Sequence, residues 1–278
     1  MMDRLRTPMP PLIYGTAWKK DQTADYIIKA IAAGFRGIDT ACQPKHYNEP
    51  GVGDAIKTLA AKGIPRHHIF LQTKFTPLAG QDAKSVPYDP KAPLDIQVHQ
   101  SFIQSLTNLG TDHIDSLVLH SPLSSLVDTM TVWKAFEELY YQGKVSLLGI
   151  SNCYDITFME RFYSQALIKP RVLQNRFYKE TGYDRDLRMF SKKNGIIYQS
   201  FWTLTANPHL LNHPVFIDTA KHLGKTPAQI LFRYLIEDGS CPLTGTTSKN
   251  HMQQDLDVCN FRLGDDIRAT LEQVIYQS

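Results

Sequence analysis

The chain has 278 residues and a formal charge of +3, from 30 Lys and Arg against 27 Asp and Glu; basic residues form no run, so neither nucleic acid nor a membrane surface is expected as partner, while small anionic ligands stay open. Cys42, Cys153, Cys241 and Cys259 stand far apart with no metal-like Cys/His spacing, which predicts no metal site, no disulfide framework and reduced thiols in a cytoplasmic protein. The start, MMDRLRTPMPPLIYG, lacks the apolar stretch of a signal peptide, and no segment reaches the roughly 18 apolar residues of a membrane helix.

Short apolar runs alternate with longer helical patterns from end to end. The runs predict strands at 12–16, 34–39, 68–73, 114–119, 145–150, 171–174, 195–200 and 240–244. Apolar residues recur at three and four between them, as in Ala24/Ile27/Ile28/Ile31, Val52/Ala55/Ile56/Leu59, Val98/Phe102/Leu106/Leu109 and Val132/Phe136/Leu139/Tyr140, and each stripe predicts a helix covering a strand pair. With eight strands and no Gly/Ser- or Pro-rich linker, the pattern predicts an α/β fold, a single-domain (β/α)8 TIM barrel over residues 1–278 rather than an open doubly wound sheet. Two irregular stretches, 75–93 and 202–214, follow strands and are expected at the active-site face. Gly51-Val-Gly53 begins like a dinucleotide fingerprint, but it lacks the third Gly and a preceding strand, so it reads as a helix start. Tyr140, Tyr141 and the Met residues read as ordinary core or helix surface.

Polar side chains terminate several of the apolar runs: Asp39 after FRGI, Lys74 after IFLQT, His120 after DSLVL, Ser151 and Asn152 after VSLLGI, Gln174 after RVL. In a barrel these converge on one mouth, so Asp39, Lys74 and His120 become neighbours, with Tyr47 close by. Each has a bland reading alone: Asp39 as a turn cap, Lys74 and His120 as rim residues. Their coincidence at successive strand ends favours chemistry. Hydride delivery to a carbonyl leaves an alkoxide that needs a proton, and a phenol of pKa about 10 gives one up poorly at neutral pH. An adjacent Lys ammonium would lower that pKa, His would orient the carbonyl, and Asp would hold the Lys.

GFRGIDTA followed by YNEPGVGDAI, then TKF, then LGTDHIDSLVLHSP, resemble in order the signature segments of the aldo-keto reductase family, and the likeness runs from Gly15 to about Asp266. It implies an NADP-dependent aldehyde or ketone reductase, a carbonyl reductase or alcohol dehydrogenase, with Asp39, Tyr47, Lys74 and His120 as the catalytic set and no metal. QGKVSLLGISN resembles the stretch whose Ser-Asn binds the nicotinamide carboxamide, which maps to Ser151 and Asn152, with Gln174 as third ligand. The resemblance places NADPH or NADP+, with NADH as the alternative, against Gly15, Thr16, Asp39, Phe201, Thr244, Gly245, Thr246, Thr247, Gln254 and Asp255.

Departures from the family pattern are informative. ACQPKHYNE carries two extra residues after Asp39 and puts His46 at the spacing usual for the Tyr; Tyr47 is preferred because a phenol is the group Lys can tune, and His46 stays the alternative. Phe201 replaces the Tyr that stacks on the nicotinamide, and Ser121 the Trp after the catalytic His; Trp18, His46, Tyr47, His120 and Ser121 are the expected substrate pocket. The usual Pro-Lys-Ser for the adenosine 2′-phosphate becomes Thr244-Gly245-Thr246, where hydroxyls, backbone N–H groups, a helix start near Asn250, and Lys249 or His251 would take over. The chain ends soon after a last helix at 265–276, which predicts an open pocket without the long C-terminal loop of many relatives. A small carbonyl substrate is the expected partner, with the protein a monomer or weak oligomer. Two other readings stay open: a Schiff-base aldolase built on Lys74, and a catalytically silent sensor of nicotinamide cofactor.

Overall fold

Side chains alternate across a strand, so runs that are apolar at every position need cover on both faces. The structure, a computed structural model describing residues 7–277, provides it by closing eight parallel strands into a barrel in sequence order, with β8 pairing back onto β1. Ser278 and residues 1–6, part of the stretch read as lacking a leader, lie outside the described residues. The strands are β1 (Ile13–Gly15), β2 (Gly37–Asp39), β3 (Phe70–Phe75), β4 (Ile114–Leu119), β5 (Val145–Ser151), β6 (Val172–Arg176), β7 (Ile197–Phe201) and β8 (Cys241–Thr244). Around them run α1 (Thr23–Ala33), α2 (Glu49–Ala61), α3 (Leu94–Leu109), α4 (Leu126–Tyr141), α5 (Ile156–Gln165), α6 (Arg185–Lys193), α7 (Pro208–Leu211), α8 (Pro214–Leu223), α9 (Pro227–Glu237), α10 (Lys249–Asp257) and α11 (Asp265–Gln277). No helix among the described residues is long and apolar enough to cross a membrane.

Two apolar cores result. The larger lies between strands and helices and holds the predicted stripes, with Ile27, Val52, Val98 and Val132 all fully buried. The smaller lies inside the barrel, where Ile13, Phe70, Leu147, Cys241 and Leu243 meet. Above that plug the interior turns polar. Gln72 Nε2 donates to Asp39 Oδ1 (2.7 Å) and Gln199 Oε1 (2.7 Å), and Gln174 Nε2 donates to the same two oxygens at 3.1 and 2.8 Å. A buried amide without partners costs about 1–3 kcal/mol, so this layer persists because its members satisfy one another.

Boundaries moved where backbone geometry overrides composition. Gly34, expected to open a strand, instead caps α1 at φ 129°, its N–H donating to the carbonyls of Ala30 and Ile31. The two irregular stretches are ordered: Tyr88 is buried, and its hydroxyl donates to Thr76 O (2.9 Å) to anchor 75–93, while α7 forms within 202–214.

Gly53 shows why Gly51-Val-Gly53 sits at a helix start. Asn48 caps α2 by accepting from the Gly51 N–H at 3.0 Å, and a Cβ on Gly53 would collide with the backbone oxygen of Asn108 in α3. Alanine gains about 1 kcal/mol of helix propensity over glycine, whereas a methyl forced into closed space costs about 1–3 kcal/mol, and a backbone atom yields less than a side chain. Gly53→Ala is therefore expected to lower the midpoint of thermal unfolding by a few degrees; an unchanged or raised midpoint would mean that α2 and α3 separate at no cost.

Candidate active site

Alternation along β3 sends Gln72 and Lys74 into the barrel and Thr73 outward, where its hydroxyl donates to the buried Glu49 carboxylate of α2 (2.5 Å). Lys74 Nζ donates to Asp39 Oδ1 and Oδ2 at 2.6 Å each and to Thr40 O at 2.9 Å. All three ammonium protons thus have acceptors. Burial lowers the Lys74 pKa and the Asp39 charge opposes that shift. Deleting one partner of a buried pair typically costs about 3–5 kcal/mol, so these residues are locked together.

The turn from Ala41 to Asn48 decides which side chain meets the pair. Gln43 O accepts from the N–H groups of His46 (3.1 Å) and Tyr47 (3.0 Å), and Gln43 Nε2 donates to Gly80 O at 2.6 Å, tying the turn to stretch 75–93. Tyr47 consequently lies with its ring centroid 5.2 Å from Lys74 Nζ and 5.9 Å from the His120 ring, edge to face. His46 turns the other way and packs against Trp18, the rings tilted by 37° with centroids 4.0 Å apart, and its carbonyl accepts from the Trp18 backbone N–H (2.8 Å). Trp18 is exposed, with a left-handed φ of 64°.

Burial, with the nearby Lys74 and His46, pushes His120 down to about 3, which leaves the imidazole neutral at ordinary pH. His120 Nδ1 and Thr76 Oγ1 share a hydrogen bond of 2.7 Å. Tyr47 departs from the sequence expectation. Burial raises its phenol above the ordinary value and the Asp39 charge raises it further, where Lys74 was expected to lower it. The reason is that Lys74 spends its charge on Asp39, which stands beside the phenol as well.

A cavity of about 910 Å3 opens at this mouth. Its wall includes Gly15, Trp18, Asp39, His46, Tyr47, His120, Ser151, Asn152, Gln174, Phe201, Thr244, Gly245, Thr246, Gln254 and Asp255. Four expected residues stand off that wall. Thr16 is buried, its hydroxyl donating to Asp39 O (2.9 Å); Lys74 is covered by Asp39; Thr247 is exposed; Ser121 lies outside the lining. A second cavity of about 760 Å3 shares Trp18, His46 and Tyr47 and extends toward Pro50 and Val86.

At one end of the large cavity Asn152, left-handed at φ 53°, donates from Nδ2 to His120 O (2.8 Å), and Ser151 Oγ donates to Gln174 O (2.6 Å). At the other end Thr244 Oγ1 donates to Asp255 Oδ2 (2.7 Å) and Ser248 caps α10. Lys19 Nζ donates to Gly245 O (2.7 Å), and burial lowers its pKa to about 8. Sequence reasoning missed Thr76, Gln72, Gln199 and Lys19. For Lys19 a signal existed, since Gly245 occupies the place of a lysine in the resembled motif. Among the described residues no group of three or more His, Cys, Asp or Glu could hold a metal ion.

Burial raises Asp255 from its ordinary 3.8 to about 6, against the pull of Thr244 and His251. Folding therefore favours the protonated form; that contribution is complete below about pH 4 and is lost as pH rises through about 6, up to about 3 kcal/mol by alkaline pH. Asp255→Asn is expected to raise the unfolding midpoint of the ligand-free protein at pH 8 and to match wild type near pH 4. A difference that does not vary with pH would contradict this.

Residues 11–212 match the family model described as the aldo/keto reductase family. Methylglyoxal reductase DkgA of Escherichia coli (strain K12) is 27% identical over 261 residues, covering 93% of this chain and 86% of that protein. MGS-M4, an aldo-keto reductase enzyme from a Medee basin deep-sea metagenome library, superposes with a TM-score of 0.82 at 28% identity, covering 98% of this chain and 93% of its own. An aldo-keto reductase of the silkworm Bombyx mori, solved in complex with NADPH, superposes with a TM-score of 0.79 at 25% identity, covering 95% of this chain and 84% of its own. With the family model spanning most of a closed eight-stranded barrel, the chain belongs to the aldo/keto reductase family.

Proposed function

We propose that the protein reduces an aldehyde or ketone to an alcohol with a nicotinamide dinucleotide, NADPH in preference to NADH, and that Tyr47 is the proton donor. One observation carries this reading: the Tyr47 ring lies against both the Lys74 ammonium and the His120 imidazole on the wall of the large cavity.

The residues suit such a cofactor. Phe201 offers an aromatic face, and Asn152 and Gln174 offer amides at one end. Hydroxyls and the N-terminus of α10 lie at the other, with Lys19 and His251 close by as sources of positive charge for a 2′-phosphate. When bound, the cofactor supplies hydride to the carbonyl carbon.

The chain's own groups then manage the oxygen. A phenol held above its ordinary pKa keeps its proton at neutral pH and surrenders it to a strong base, which a developing alkoxide is. The phenolate left behind faces the Lys74 ammonium, which Asp39 keeps in place. Neutral His120 contributes direction: the hydrogen bond between Thr76 Oγ1 and Nδ1 fixes the ring, and in the tautomer protonated on Nε2 that N–H would hold the carbonyl oxygen. The Schiff-base reading is poorly supported, because each proton on Lys74 Nζ is engaged and the side chain is 1% exposed, so no free amine meets a substrate.

Turnover is read from the absorbance of the reduced nicotinamide over a panel of aldehydes and ketones. Tyr47→Phe is expected to lower kcat by about 10²–10⁴-fold with little change in NADPH affinity, while His46→Ala stays active. Loss of turnover in His46→Ala alone would move the proton donor to that residue. Tight NADPH binding by the wild type with no turnover of any carbonyl would favour the sensor.

A further inference from the structure

Arg176 ends β6, two residues past Gln174, and alternation along the strand sends its side chain to the same mouth. Its guanidinium lies over the Trp202 ring at 4.3 Å and near the Tyr178 ring at 5.1 Å. Trp202 takes the left-handed φ of 54° that a side chain of its size rarely adopts, and it presents its ring on the cavity wall. The backbone beneath is held as well: the Arg176 N–H donates to the Tyr154 hydroxyl (3.1 Å), which donates to Asn152 Oδ1 (3.2 Å). An aromatic-backed cation therefore shares the cavity wall with Asn152, its backbone tied to the Asn152 side chain through Tyr154.

No carboxylate of the described residues lies within ion-pair distance of Arg176. The two carboxylates on the cavity wall are engaged elsewhere, Asp39 by Lys74 and Asp255 by Thr244. A guanidinium carries five donors arranged to meet a carboxylate or phosphate side-on, and stacking spends its faces while leaving its edge free. Lys19 is bonded to Gly245 O and Lys74 is committed to Asp39, and neither is on the cavity wall, so among the described Lys and Arg side chains Arg176 is the one that lines the cavity.

We propose that Arg176, backed by Trp202, is a specificity-determining residue that binds an anionic group, a carboxylate or phosphate, carried by the carbonyl substrate. The proposal rests on the reading of this site as a carbonyl reductase. The cofactor's own phosphates offer the same chemistry, and the experiment separates the two sources.

The test compares butanal with succinate semialdehyde, which has the same carbon chain ending in a carboxylate, in the wild type, Arg176→Gln and Arg176→Lys. Arg176→Gln is expected to lower kcat/KM for the semialdehyde by about 10–100-fold, mainly through KM, and to leave butanal nearly unchanged; Arg176→Lys should recover part of the loss. Equal loss for both aldehydes overturns the proposal. So does a tenfold or greater rise in the NADPH dissociation constant of Arg176→Gln, measured by fluorescence, with no discrimination between the aldehydes; the guanidinium then serves the cofactor. A wild type that turns over neither aldehyde defeats the reductase reading alone, and succinate then decides: thermal protection of wild type by succinate, absent in Arg176→Gln, supports the anion site, and protection of neither overturns it.

Discussion

The site depends on one ion pair inside a barrel. Lys74 Nζ, out of contact with water, is held by both oxygens of Asp39 and by Thr40 O. Neither charge is tolerable there alone, since an unpaired ion in a low-dielectric interior loses several kcal/mol of solvation. The pair in turn needs the amides around it: Gln72 and Gln174 both donate to Asp39 Oδ1 and share Gln199 as acceptor. Strands β2, β3, β6 and β7 are thereby registered to one another at the depth where the barrel changes from apolar plug to mouth. A fixed cation at that level gives the phenol and the imidazole above it something to be placed against.

The turn between β2 and α2 converts this fixed charge into a directed site. Tyr47 and His46 are adjacent, yet the Gln43 carbonyl that gathers both amides, and the Gln43 side chain bonded to Gly80, turn them to opposite sides. Tyr47 meets Lys74 and His120; His46 joins Trp18 as a rim between two cavities. The raised phenol and the depressed imidazole share a cause, burial beside charges already committed to each other. Both groups are consequently neutral, which suits a donor that releases its proton to a reacting oxygen and an imidazole that orients without competing for that proton.

The eight strands were legible in the sequence because each is a short apolar run closed by Gly, Pro or polar residues, and Asp39, Lys74, His120, Ser151 and Gln174 were legible because they close those runs. Less visible was anything that depends on direction. In a strand buried on both faces a Gln carries no signal of which face it takes, so the amide layer of Gln72 and Gln199 could not be read. Thr16 stands beside Gly15 in sequence but behind the wall in space, its hydroxyl spent on Asp39 O. Thr76 lay at the start of a long loop that looked irregular, and its bond to His120 crosses 44 positions. Arg176 was missed because the run appeared to close at Gln174, whereas β6 continues for two residues. The choice between Tyr47 and His46 turns on hydrogen bonds to a distant loop, which spacing cannot supply.

The most direct measurement is the single-turnover rate of carbonyl reduction at saturating NADPH in Asp39→Asn, with the fold checked by circular dichroism. The side chain keeps its shape and the amide layer keeps an acceptor, but Lys74 loses its counter-charge. A fall of about 10²-fold or more in a folded, NADPH-binding variant is the result this account predicts. A rate within about twofold of wild type would contradict it, because the phenol would then work without the charge that Asp39 holds beneath it.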